Sequence, residues 1–277
     1  MNSLLSKIIA DNKNVVLCLA LIALAGYAIV LPTSFKTMDD LVSIVNNPRI
    51  KSISQLGEIF RTSFFTENAY YRPLVLVSFM VEYHLFGLRA FFYNMNNLLL
   101  HIANAFLGFL IVASLLKDRR LAFLSAALFV LHPAHWEAVS NIPGRSILLC
   151  SFFFLLAVHL FIKGEQDQRT GVSTTGAVAC FGLALLSKES AVMLPFCLAA
   201  YYFFINGKLG RRQYMTLLPY AIVLAVYFLL RQAMGITSVA PWDSPAEVFV
   251  GISTFLGVCL YYARQIILPV NFYYDHT

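Results

Sequence analysis

The chain has 277 residues, 59% of them hydrophobic and only 12% charged, about half the charged share of a soluble domain, so an ordinary soluble domain is excluded. Its formal net charge of +6 is dispersed between apolar runs and not gathered into one stripe, which argues against a nucleic-acid partner. The five cysteines (Cys18, Cys150, Cys180, Cys197 and Cys259) lie in or beside apolar stretches without a CxxC pair. They read as small core residues, with neither a disulfide framework nor a zinc site.

A spanning helix needs roughly 20 mostly apolar residues, fewer where protein surrounds it. In chain order, uncharged apolar runs cover residues 15–32, 91–116, 121–131, 147–162, 172–186, 191–205 and 214–230. The first lacks a small-residue cleavage site, so it reads as an anchor, with a cleaved signal peptide as the alternative. Basic residues in short loops favour the cytoplasmic side. With the N-terminus inside, seven crossings put every basic cluster there: Lys7 and Lys13, Lys117 to Arg120, Lys163 and Arg169, and Lys208 to Arg212. The same map puts Asp39, Asp40, Glu67, Arg72, His132, His135, Glu137, Arg145, Lys188 and Glu189 outside.

Two segments fit less simply. Residues 73–88 are apolar but carry Glu82 and His84, and counting them as a span would invert every later loop. A helix on the outer surface is expected there. Residues 247–269 carry Arg264 and form either an eighth span or a second surface helix. The expected architecture is an all-α polytopic membrane protein: one membrane domain over residues 1–277 with seven or eight spans. Residues 33–90 form a long first outer loop with surface helices, and no soluble or repeat domain is visible.

The polar residues expected outside are the candidates for chemistry. Asp39 and Asp40 follow the first span closely, and a carboxylate there can take a proton from a hydroxyl. Adjacent residues cannot both face one site, so one is the base and the other structural, unless both are only loop acids. Arg72 precedes Pro73 at the start of an apolar helix; it suits a phosphate, or snorkels to the interface. His132, His135 and Glu137 suggest a metal, but Pro133 breaks helical spacing and the pattern is not HExxH. A substrate-contacting or hairpin-locking role is expected instead. Lys188 and Glu189 form either an ion pair or a cation offered to a lipid phosphate, with Glu189 contacting substrate. Carboxylates and cations on one face beside lipid suit transfer from a phospholipid-like donor.

These residues stand in a recognisable order. Asp39-Asp40 with Asn47-Pro48, Tyr71-Arg72-Pro73-Leu74, Phe86-Gly87-Leu88 and Asn96 to His101 come first. His132-Pro133-Ala134-His135-Trp136-Glu137-Ala138-Val139, Gly144-Arg145, Leu185 to Glu189 and Tyr274-Asp275 follow. The series resembles the transmembrane and tetratricopeptide-repeat protein O-mannosyltransferases, which are GT-C glycosyltransferases. The resemblance implies a GT-C helix bundle with a catalytic Asp in its first outer loop. It also implies inverting transfer of a sugar, usually mannose, from a polyprenyl-phosphate donor to a protein Ser or Thr hydroxyl. By motif position Asp39 resembles that Asp, with Asp40 second, and Arg145 and Lys188 resemble donor-phosphate contacts beside Arg72. No metal or cofactor is expected; the partners are the lipid-linked sugar, a protein or glycan acceptor and membrane lipid.

The sequence departs from the family pattern at Ile147, where an acidic residue is expected, leaving Glu137 as the nearby substitute. It also stops where family members continue, so a bacterial-type homologue lacking the C-terminal part is expected, in an inner membrane with its site facing the periplasm. The rival expectations are an inactive assembly partner and a transporter. Against the latter, the apolar runs show no paired mid-depth charges and no inverted repeat.

Overall fold

A computed structural model describes residues 9–64, 70–167, 170–236 and 245–267, and these form helices and turns without a strand. Lys7, Glu67, Arg169, Tyr274 and Asp275, singled out above, lie outside the described residues. The nine longer helices are α1 (Asn12–Tyr27), α2 (Pro73–Phe86), α3 (Ala90–Leu116), α4 (Arg119–Leu131), α5 (Arg145–Asp167), α6 (Thr170–Leu185), α7 (Leu194–Asn206), α8 (Arg211–Ala233) and α9 (Pro245–Ile267). Their ends carry the expected signals. Asp11 and Asp118 cap α1 and α4 through their side chains, Pro73 opens α2, and Gly87, at φ 62°, closes it. A left-handed backbone there is natural only for glycine.

Among the described residues, four stretches are long and apolar enough to cross a bilayer: Asn12–Val30, Ala90–Leu116, Ile142–Asp167 and Arg211–Ala233. At 1.5 Å per residue, the longest reaches about 40 Å. The runs at 121–131, 172–186 and 191–205 form the shorter helices α4, α6 and α7. The chain is an all-α polytopic membrane protein, and its surface agrees. On α1, Val15, Leu19, Ala23 and Tyr27 are buried at i, i+4 spacing while Leu17, Leu21 and Leu24 are exposed. Leu128, Phe204 and Leu229 are likewise exposed at 70%, 83% and 65%. So broad an apolar exterior fits lipid and not water.

Three apolar cores organise the molecule. One joins α1, α3 and α4 around Leu19, Ala105, Phe109 and Ala126. A second joins α5 to α8 around Phe161, Phe181, Tyr202 and Tyr220. The third belongs to the first outer loop: Ile44, Ile50, Ile59 and Phe64 pack on Val75, Leu76, Phe79 and Met80 of α2. Arg49 ties this loop together, donating to Thr62 Oγ1 (2.8 Å) and to the carbonyls of Ser63 (2.7 Å) and Phe64 (3.0 Å). Residues 73–88, expected as a surface helix, contain α2, and the described part of the run at 247–269 lies in α9.

One buried ion pair pins α2 to the bundle. Arg145 is fully buried, and its Nη1 lies 2.8 Å from Glu82 Oε1. It also donates to Asn97 Oδ1 and to the Tyr93 carbonyl, while Asn96 donates to the same Glu82 oxygen. This corrects the expectation of Arg145 at a donor phosphate: its guanidinium is spent inside the protein. A charge without water needs such a partner, and Glu82, the odd acid in an apolar segment, supplies it.

A candidate active site at the outer rim

The acidic pair divides its work. Thr37 and Asp40 form a reciprocal capping box at the start of Met38–Asp40. Asp40 is 3% exposed, and its Oδ2 accepts from the Lys36 and Thr37 backbone N–H groups, both at 2.9 Å. Its carboxylate is thereby structural. The same turn aims Asp39 outward, exposed, where it lines two cavities. A π-helical turn, Leu41–Val45, follows at once.

The first cavity is small, about 160 Å³, and polar. Asp39, Arg72, Glu137, Asn141, Ser146 and Lys188 line it, with Ile147. The second is an open cleft of about 700 Å³ walled by residues 29–40 and by Trp136 to Ile142. Asp39, Glu137 and Asn141 belong to both, so the two spaces adjoin along these three residues, Asp39 among them. Of the residues singled out in sequence, Asp39, Arg72, Glu137 and Lys188 come together here. Ile147, where the family pattern expects an acid, faces the same pocket as Glu137, so a carboxylate from the neighbouring turn stands beside the vacated position.

Arg72 is held by Glu189: Nη2 lies 3.0 Å from Oε2 and Nε 3.3 Å from Oε1. The Tyr70 ring sits 4.4 Å beneath its guanidinium. Lys188, half-buried, makes no ion pair among the described residues. Burial, reinforced by the Arg72 cation, holds its ammonium below the usual lysine range.

His132 and His135 do not reach this pocket. His132 Nδ1 accepts from the Ala134 N–H at 3.2 Å, capping the Pro133–His135 turn. His135 packs against Phe129, ring centroids 4.2 Å apart and planes tilted by 41°, beside His101. Burial and the two neighbouring imidazoles push His135 down to about 4. Both lie at the hairpin after α4, where His135 lines a separate cavity with His101 and Asn104. Among the described residues, no three His, Cys, Asp or Glu side chains are grouped to hold a metal.

Sequence reasoning missed Ser146 and Asn141 as pocket walls. Gly144 was a signal for the first. A Cβ there would sit 2.5 Å from the Ala138 carbonyl oxygen, so the chain needs glycine to bring 142–146 against the Glu137 turn.

Fold and site thus define a membrane protein with a small polar pocket of mixed charge. Comparison with known proteins finds homologues bearing one name. The chain is 30% identical over 200 residues to human protein O-mannosyl-transferase TMTC1, covering 65% of this chain and 23% of that protein. It is 27% identical over 256 residues to protein O-mannosyl-transferase F38B6.6 of Caenorhabditis elegans, covering 86% and 36%. To mouse TMTC1 it is 37% identical over 139 residues, covering 47% and 15%. The chain therefore spans well under half the length of these relatives. No family model and no solved structure matches.

Proposed function

We propose that this chain carries the transfer site of a GT-C glycosyltransferase. It moves a sugar, mannose by its relatives' name, from a polyprenyl phosphate to an acceptor hydroxyl on a protein Ser or Thr, with inversion. The observation that carries this is Asp39 at the junction of two cavities. At about 160 Å³ the polar pocket is below the roughly 300 Å³ at which small-molecule sites begin. It suits the phosphate alone, with the sugar ring in the larger cleft.

In this reaction Asp39 takes the proton of the acceptor hydroxyl while its oxygen attacks C1 of the sugar. The bond from C1 to the phosphate oxygen breaks, and that oxygen keeps the electron pair beside Arg72 and Lys188. Fixed cations where charge develops stabilise the departing phosphate. Glu137 stands where a second carboxylate can orient the acceptor. The site faces the outer side, as the basic loops inside require.

Asp39→Asn tests the proposal in purified membranes supplied with polyprenyl-phosphate mannose and a Ser/Thr peptide. Transfer is expected to fall on the order of 10²–10⁴-fold; near-normal turnover rejects the assignment. Ile147 in the pocket favours a second reading, an assembly partner that binds lipid without transferring sugar. Polyprenyl-phosphate binding with no transfer from any lipid-linked sugar would select it.

A further inference from the structure

We propose that the Glu189 carboxylate is an internal stand-in for the donor phosphate: it occupies the Arg72 fork while the pocket is empty, yields it when the lipid phosphate arrives, and returns to help expel the product. The inference rests on the donor assignment above.

Two N–H groups of Arg72 are engaged by the two Glu189 oxygens at 3.0 and 3.3 Å. This two-pronged contact is the one a phosphate would make with the same guanidinium. Besides the Tyr70 ring beneath it, it reaches Ser146 Oγ only at 3.5 Å, the limit of a hydrogen bond. Arg72 can accept a phosphate through its preferred face only if Glu189 lets go.

Local charge favours such an exchange. Arg72 and Lys188 are the cations of the pocket, and Asp39 and Glu137 already balance them. Glu189 adds a third carboxylate, so an arriving phosphate meets excess negative charge while Glu189 stays in place. The structure also gives Glu189 somewhere to go. Its side chain is 24% exposed and that of Arg72 13%, on a short 3₁₀ turn, Glu189–Met193, so it can turn into water. A second arginine–glutamate pair, Glu82 with Arg145, is 3% and 0% exposed and has no such exit. One pair is built to stay and the other to open.

The chemistry also gives the returning carboxylate a task. The donor is a phosphodiester with one negative charge. The product is a monoester carrying about −1.5 to −2 near neutral pH, which grips Arg72 and Lys188 harder than the donor does. Product release limits many well-evolved enzymes, and a carboxylate competing for Arg72 opposes that trap.

The test uses the full chain in phosphatidylcholine nanodiscs with undecaprenyl phosphate as probe. Glu189→Gln keeps the shape and removes the competing charge. It is expected to bind the probe about three- to tenfold tighter, as loss of one partly screened charge contact allows. In transfer assays kcat and KM are expected to fall together. Arg72→Gln is expected to abolish the gain when combined with Glu189→Gln. A merely structural ion pair predicts the opposite sign, weaker binding when it is cut. If wild type binds the probe and Glu189→Gln binds it equally or more weakly while folded, the stand-in role is overturned and the donor assignment stands. If neither protein binds it, the donor assignment itself fails. Should Glu189→Gln not fold, Glu189→Asp carries the same test: its shorter reach loosens Arg72, and unchanged or weaker binding overturns the proposal.

Discussion

Replacing Glu82 with Gln isolates the buried ion pair. The amide keeps the shape of the carboxyl group and can still accept from Asn96, but it leaves the fully buried Arg145 guanidinium without its counter-charge. Breaking a buried pair by removing one partner costs about 3–5 kcal/mol. Arg145 keeps Asn97 Oδ1 and the Tyr93 carbonyl as acceptors, so the expected loss is at the low end, about 3 kcal/mol. For a chain of this size that lowers Tm by about 6–12 °C. Thermal unfolding in detergent, followed by tryptophan fluorescence, measures it. The double change Glu82→Leu with Arg145→Met removes both charges and is expected to recover most of the loss. A Tm for Glu82→Gln within about 2 °C of wild type, a shift worth less than about 1 kcal/mol, would refute the reasoning, as would a double variant less stable than Glu82→Gln.

The acidic pair separates by readout. Asp39→Asn leaves Tm unchanged while removing transfer, whereas Asp40→Asn weakens a helix cap and costs about 1 kcal/mol; reversed effects would contradict the assigned roles. Gly144→Ala drives a Cβ into the Ala138 carbonyl and is expected to cost about 1–3 kcal/mol, seen as a lower Tm; an unchanged Tm would show that the turn yields freely. His135 sets an acid dependence. Its folded value, about 4, lies below the ordinary 6.5, so between these limits the unfolded chain holds a proton that the folded one does not. Stability from this group is complete above pH 6.5 and falls as pH drops toward 4. Tm measured from pH 7.5 to 5 is expected to decline less steeply in His135→Gln, and equal slopes would exclude the assignment.

The apolar helices were legible because an apolar run free of charge has few other uses, though four rather than seven of them are long enough to cross by themselves; the different surroundings of Asp39 and Asp40 were legible too, because neighbours on one turn point apart. The tertiary partners were not. Arg145 beside Gly144 looks like an exposed mouth residue until α2 folds back and brings Glu82, 63 positions earlier in the sequence, to within 2.8 Å. The presence of an acid in an apolar helix was visible, and such a residue demands a partner; its identity depends on how α2 crosses α3. In the same way Lys188 and Glu189 read as a pair, yet the backbone turn separates them and gives Glu189 to Arg72. His132 and His135 suggested substrate contact through residue type alone, and the aromatic packing that claims them involves α3 and α4.

The first loop and α2 build most of a third apolar core, joined by Tyr93 of α3 and by Ile142, distinct from the two that hold the other helices together. Exclusion of water drives that small core, while helices surrounded by lipid cohere through close fit and hydrogen bonding. The two parts of the molecule thus answer to different solvents. Moderate urea is expected to loosen the platform beneath Asp39 while the membrane helices keep their ellipticity, so the transfer proposed for this site is expected to be lost well before the circular dichroism changes.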